Sequence, residues 1–169
     1  MKVVLETERL LLREYVEDDA EAFLELNSNP EVLRFVSDKP LLNVEQARQI
    51  LLDYPIDDYR AHGFGRCACI LKSTSEQIGF AGLKYLPELG EVDVAFRLKP
   101  AHWGFGFATE AALASVRFGF SNLGLQQIIG LALPENRASV RVLEKAGLSH
   151  AGTLRLWGRA LSKHIINAE

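Results

Sequence analysis

The stretch Leu98-Lys99-Pro100-Ala101-His102-Trp103-Gly104-Phe105-Gly106-Phe107-Ala108-Thr109-Glu110 constrains this chain more than any other, because the structural signal changes across it. A strand-like apolar run, Val92 to Leu98, leads in, and good helix formers from Thr109 to Ala114 lead out. Gly104, Gly106 and Ala108 alternate where the helix should start, leaving one side of the backbone bare. The first four N–H groups of a helix have no internal acceptor, and the macrodipole places about half a positive charge there, so phosphate is the natural ligand. Glu110 in the first turn suits the same dipole. A turn that needs glycine only for its dihedrals is the plainer alternative. Two familiar phosphate loops fit poorly. No Lys-Ser or Lys-Thr follows the glycines, as a Walker-type loop requires. Thr109 stands where a dinucleotide fingerprint has its third glycine, and Phe105 and Phe107 make the run unusually apolar.

With 169 residues, 48% of them hydrophobic, the chain is expected to form one domain over residues 1–169 around a sizeable core. A formal charge of −3 gives no basic footprint, so nucleic acid is not expected as a partner. The only cysteines, Cys67 and Cys69, share one face of a strand and read as reduced, half-buried thiols; without neighbouring histidines they cannot build a zinc site, and no metal is expected. The opening Met1-Lys2-Val3-Val4-Leu5-Glu6 is too short and too soon charged for a signal peptide, and no apolar run approaches the ~20 residues of a membrane span. These features predict a soluble cytoplasmic protein with no membrane partner.

Thr7 to Tyr15 reads as a strand, and Asp18 or Asp19 caps a helix carrying Ala20, Phe23, Leu24 and Asn27 on one face. Asn29-Pro30 closes it, with one further turn over Glu31 to Phe35. A second helix begins at Asn43 and is interrupted by Pro55; Asp57 to Gly63 reads as a helix end or loop. Three apolar runs, Gly65–Lys72, Gln77–Lys84 and Val92–Leu98, are parted by turn residues and predict an antiparallel meander. A helix over 106–120 follows, with Ala108, Ala111, Ala112, Ser115 and Phe118 as a stripe suited to lying close on a sheet. Gln127 to Leu133 then reads as a buried parallel strand, Asn136 caps a last helix ending at Lys145-Ala146-Gly147, and two strand candidates flank Gly158.

Three ordered blocks together resemble the GNAT superfamily of acetyl-CoA-dependent N-acetyltransferases, and within it the RimJ/RimL-type branch, which includes enzymes that acetylate ribosomal-protein N-termini. They are Thr7-Glu8-Arg9-Leu10-Leu11-Leu12-Arg13 with the Asp18-Asp19-Ala20 and Asn29-Pro30-Glu31-Val32 that follow, Trp103 to Ala111, and Asn136 to Gly147. The resemblance covers nearly the whole chain. It implies an α/β (α+β) fold: a mixed, mostly antiparallel sheet of about seven strands, splayed at its centre and flanked by about four helices. It also implies acetyl-CoA as cosubstrate. The backbone of Trp103, Gly104, Phe105, Gly106, Phe107, Ala108 and Thr109 would hold the pyrophosphate, the strand end at Phe96 to Leu98 would pair with the pantetheine arm, and Asn136 would face the cofactor.

The implied reaction is attack of a neutral amine on an acetyl thioester, which needs a base for the ammonium, N–H groups for the carbonyl and a proton for the departing thiolate. Asp93 matches the family's glutamate base, one methylene shorter, so a water relay suits it better than direct contact. Glu91, on the same strand face, is the reserve. Leu143 stands where many relatives have a tyrosine acid. Ser139 is the substitute, either reaching the coenzyme A sulfur or serving only as part of the Asn136 cap. His62, His150 and His164 read as solvated. Phe35, Tyr54, Tyr59 and Trp157 are candidates to line an amine site or to pack the core. Arg159 to His164 departs from the branch, where an acidic residue is usual before the last strand. The acceptor is expected to be a peptide N-terminus or a small-molecule amine, and the acidic net charge favours a cationic one. A GNAT-fold module that binds acyl-CoA without efficient catalysis is the alternative. His164 to Asn167, read as an apolar edge strand, could pair across a homodimer.

Overall fold

The apolar periodicities resolve into a single twisted sheet with helices on both faces. In a computed structural model, which describes residues 2–169, the strands are β1 (Val3–Glu6), β2 (Leu10–Glu14), β3 (Arg66–Leu71), β4 (Glu76–Leu86), β5 (Glu91–Leu98), β6 (Gln127–Ala132), β7 (Ser149–Leu156) and β8 (Arg159–Asn167). The helices are α1 (Ala20–Ser28), α2 (Pro30–Leu33), α3 (Val44–Leu51), α4 (Asp57–His62), α5 (Phe107–Ser121) and α6 (Arg137–Lys145). The sheet has eight strands in the order β1-β2-β3-β4-β5-β6-β8-β7. The strand beyond the expected seven is β1, a short run whose hairpin with β2 turns where the Thr7 N–H donates to the Leu10 carbonyl at 2.9 Å.

Every pairing is antiparallel except that of β5 with β6, which meet in parallel only at Asp93 and Ile129. Past that point the two strands part, so the splay falls at the carboxyl half of β5. On one face Val92, Val94 and Leu98 pack beneath α5 and α6. On the other, Ala68, Phe80 and Ala95 lie beneath α1 and α3. The face of α5 that the sheet buries is Phe107, Ala111, Ala112, Ser115, Val116 and Gly119, with Ala108 and Phe118 left at its margin. A Cβ at Gly119 would come 2.7 Å from the Ile128 Cδ1, so the small residue sets how closely the helix sits.

From Val44 to His62 the chain is helical almost without break. Pro55 lacks an N–H, and the ladder widens to a π turn over Leu52–Ile56 rather than ending. Counted as one, this run, α1, α5 and α6 make the four principal helices. Asp19 does not cap α1 with its side chain; its carboxylate takes both Arg13 guanidinium nitrogens at 2.7 and 2.8 Å and the Val16 N–H at 2.9 Å, tying α1 to β2.

Two expectations at the C-terminus are overturned. β8 lies between β6 and β7, so His164 to Asn167 is not an edge and is not available to pair across a dimer; β7 is the strand at that border. For the same reason His164 is buried rather than solvated, its ring 3.1 Å from the Ser162 hydroxyl. β7 takes the border position and the tight turn at Trp157-Gly158 brings the last strand back between it and β6, which local pattern does not register.

Candidate active site

Gly104 and Gly106 adopt φ of +82° and +80°, a region that an L side chain enters only with strain, and a Cβ at Gly104 would meet nothing within 4 Å. The glycines therefore keep both the turn and an open space beside it. The first backbone bond of α5 runs from the Glu110 N–H to the Gly106 carbonyl at 3.0 Å. The N–H groups of Phe107, Ala108 and Thr109 lie ahead of that ladder, at the positive end of a helix with no basic side chain in its first turn.

The loop is braced from outside. The Thr7 hydroxyl and the Arg9 backbone N–H donate to one oxygen of Glu110 at 2.5 and 2.9 Å, and the Arg9 Nε donates to the other at 2.7 Å. Arg9 also reaches the Phe105 carbonyl at 2.9 Å and lies 4.4 Å over the Phe107 ring. These bonds hold the Glu110 carboxyl below its ordinary pKa despite partial burial. The Trp103 indole donates to the Leu98 carbonyl at 2.8 Å, locking the loop to the end of β5, while Phe105 stays exposed. The N-terminal Thr-Glu-Arg-Leu block thus belongs physically to the loop; its sequence distance hid that.

Asp93 is buried at the one point where β5 and β6 meet, with Oδ1 lacking any hydrogen-bond partner. Burial pushes its carboxyl up to about 7; the positive charges of Arg66 and Lys84 and the Leu131 N–H pull the other way and are outweighed. Glu91 differs: Lys163 holds it at 2.9 Å, leaving it a paired group. Asn136 caps α6 by accepting from the Ser139 N–H at 3.3 Å and donating its own amide to the Ser139 oxygen at 2.9 Å, which leaves the Ser139 hydroxyl proton uncommitted. Leu143 is buried against Gly130, where a Cβ would collide with it; that position seats α6 on β6 and carries no polar group.

Around Asp93, on the α1 and α3 face, the structure gathers charges from distant segments. Lys84 pairs with Asp58 at 2.8 Å beside the exposed Tyr54 ring, and Arg97 pairs with Asp38 at 3.1 Å and the Asn27 side chain at 2.5 Å. Tyr59 is committed to structure, accepting from the Tyr15 N–H and donating to the Arg66 carbonyl. Phe35 is drawn to the β7–β8 hairpin where Arg159 reaches its carbonyl, and Trp157 stands half exposed at the tip of that hairpin. Arg66, Lys84 and Arg97 were not legible as site residues, since each is an ordinary basic residue of a half-buried strand in sequence. Cys67 and Cys69 are free and buried under α5, their thiols pushed up to about 12 by burial.

A bare-amide turn at a helix start, beside two parallel strands that part over a buried carboxyl, is the arrangement that the resemblance read from the sequence implies. The acetyltransferase (GNAT) domain model matches residues 9–149, and the chain belongs to the GNAT acetyltransferase family. It is 34% identical to the uncharacterized N-acetyltransferase p20 of Bacillus licheniformis over 163 residues, covering 95% of this chain and 90% of that one. An acetyltransferase structure from Agrobacterium tumefaciens superposes with a TM-score of 0.84 at 25% identity, over 97% of this chain and 94% of that one. The ribosomal L7/L12 alpha-N-protein acetyltransferase RimL, solved with coenzyme A, shares the fold at a TM-score of 0.82 and 15% identity, over 98% of each chain. The chain is an acetyl-CoA-dependent N-acetyltransferase of RimJ/RimL-like fold. No helix among the described residues is long and apolar enough to cross a membrane.

Proposed function

We propose that the protein moves an acetyl group from acetyl-CoA to a primary amine, on a peptide N-terminus or a small molecule, by direct attack with both substrates bound. The observation that carries this reading is the continuity of two features: the uncommitted amides of Phe107 to Thr109 and the opening of the sheet beside Asp93. The turn fits a pyrophosphate, because it offers N–H donors, room beside Gly104, and no competing carboxylate except a Glu110 already held by Thr7 and Arg9. Trp103 to Thr109 would hold that group, the free edge of β5 beyond Asp93, from Phe96 to Leu98, would hold the pantetheine arm, and Asn136 would approach it from α6. When bound, the thioester supplies the electrophilic carbonyl and a thiolate leaving group.

Asp93 takes the proton from the incoming ammonium, through a water because its side chain is short. A carboxyl that titrates near 7 is matched to that task at neutral pH. Ser139, whose oxygen is positioned by Asn136, returns a proton to the leaving sulfur. The test is calorimetric titration of acetyl-CoA, with ATP and NAD as controls and Gly106→Trp alongside, followed by coenzyme A release with amines and N-terminal peptides. Acetyl-CoA binding that the variant loses, with amine-dependent release, is the expected result. Equal binding by Gly106→Trp would remove the loop from the mechanism.

A further inference from the structure

Three basic groups of the acceptor face are paired with carboxylates, and Arg66 is not. Lys84 has Asp58, Arg97 has Asp38, and Lys163 has Glu91. Arg66 has no carboxylate partner among the described residues, and its Nε is buried without a hydrogen-bond acceptor. Its guanidinium lies 5.2 Å from the Phe80 ring centroid, and that of Arg97 lies 5.1 Å from the same centroid, so two like charges share one aromatic platform. Arg66 also helps to lower the Arg97 pKa. A half-buried cation beside another cation, with one N–H buried and unsatisfied, costs folding free energy unless something else is gained by keeping it there.

Its placement says what that is. Arg66 pairs across the sheet with Gly82, and Gly82 with Ala95, so Arg66 stands on the same face as Ala95 and, two residues along β5, Asp93. Gly82 between them carries no side chain to separate the two. Tyr59, by donating to the Arg66 carbonyl, fixes the start of β3 under α4.

We propose that Arg66 is a carboxylate-binding subsite of the acceptor cleft, so that the preferred acceptor is a primary amine that also carries a carboxylate, as an amino acid or short peptide does. The planar fork of a guanidinium matches a carboxylate with two parallel hydrogen bonds. The acceptor's carboxylate supplies the direct ion pair that the fold does not give Arg66, whose charge acts on the Asp93 carboxyl without pairing with it, while the acceptor's amine is directed to Asp93. The inference rests on the acetyl-transfer reading of the same site.

The experiment compares kcat/KM across matched acceptors with acetyl-CoA saturating: lysine against cadaverine, 4-aminobutyrate against its amide, and Ala-Ala against Ala-Ala amide. Wild type, Arg66→Met and Arg66→Lys are used, with acetyl-CoA titration and thermal melts confirming that each variant is folded. Wild type is expected to favour the carboxylate member tenfold or more, mainly through KM. Arg66→Met is expected to bring that ratio towards one with a Tm at or above wild type, and Arg66→Lys to restore part of it. Equal or better use of cadaverine and the amides by wild type, or an unchanged ratio in Arg66→Met, would overturn the subsite. Failure to acetylate any acceptor would instead count against acetyl transfer. Calorimetric binding of 4-acetamidobutyrate and N-acetyl-Ala-Ala would then decide the subsite alone: weaker binding by Arg66→Met supports it, and equal or absent binding overturns it.

Discussion

The proposed cofactor loop and the proposed acceptor cleft solve the problem of holding charge in opposite ways. At the loop, backbone amides from one continuous segment face open space, and the charged side chains nearby are spent on bracing one another. In the cleft, half-buried basic side chains from β3, β4, β5 and β8 surround the buried Asp93, and that carboxyl is held away from its ordinary ionisation. A backbone site tolerates changes in side chains but not in dihedrals. A side-chain site is the reverse, and its electrostatics depend on every element that packs over it.

Asp93→Asn separates the halves most sharply. Acetyl-CoA affinity is expected to be kept while kcat/KM falls by about 10²–10⁴, measured as coenzyme A release at pH 8. The same change should stabilise the fold at high pH. Asp93 moves from 3.8 up to about 7 on folding, so between those values the native state keeps a proton that the unfolded chain has lost. Wild-type stability therefore falls as pH rises from about 4 to 7, by up to about 4 kcal/mol, and that slope disappears in the variant. Denaturant melts at pH 5 and pH 8 read it directly. In wild type kcat/KM should rise with pH to a plateau, with a midpoint near 7.

Leu143 tests the seat of α6, which carries Asn136 and Ser139 to the gap. Leu143→Ala is expected to cost about 2–5 kcal/mol through the cavity left over Gly130. Leu143→Tyr, which installs the hydroxyl many relatives have there, should overpack the same contact by about 1–3 kcal/mol and bring no gain in rate. Urea melts and initial rates settle both. The smallest effect is expected at the brace. Arg9→Ala leaves the amides in place, together with the Thr7 and backbone bonds to one Glu110 oxygen, but removes the guanidinium from the other oxygen and from the Phe105 carbonyl, so the acetyl-CoA dissociation constant should rise about five- to tenfold, roughly 1 kcal/mol, by calorimetry.

Much of this was legible from the chain alone. The meander of β3 to β5, the glycine turn, the helix that follows it and the Asn136 cap are written in neighbouring residues, since periodicity, capping and positive-φ glycine are local demands. The family and the donor followed from three such blocks in order. What did not follow was whatever depends on a return of the chain: the eighth strand at Val3–Glu6, the burial of His164 by a strand that inserts between two others, and the joining of Thr7 and Arg9 to Glu110. The sequence by itself determined the backbone that can hold an anion. Only the tertiary structure decided that Asp93 is desolvated and that Arg66 is left without a partner, because a pKa and an ion pair are properties of the surroundings, and those surroundings are assembled from strands far apart in the chain.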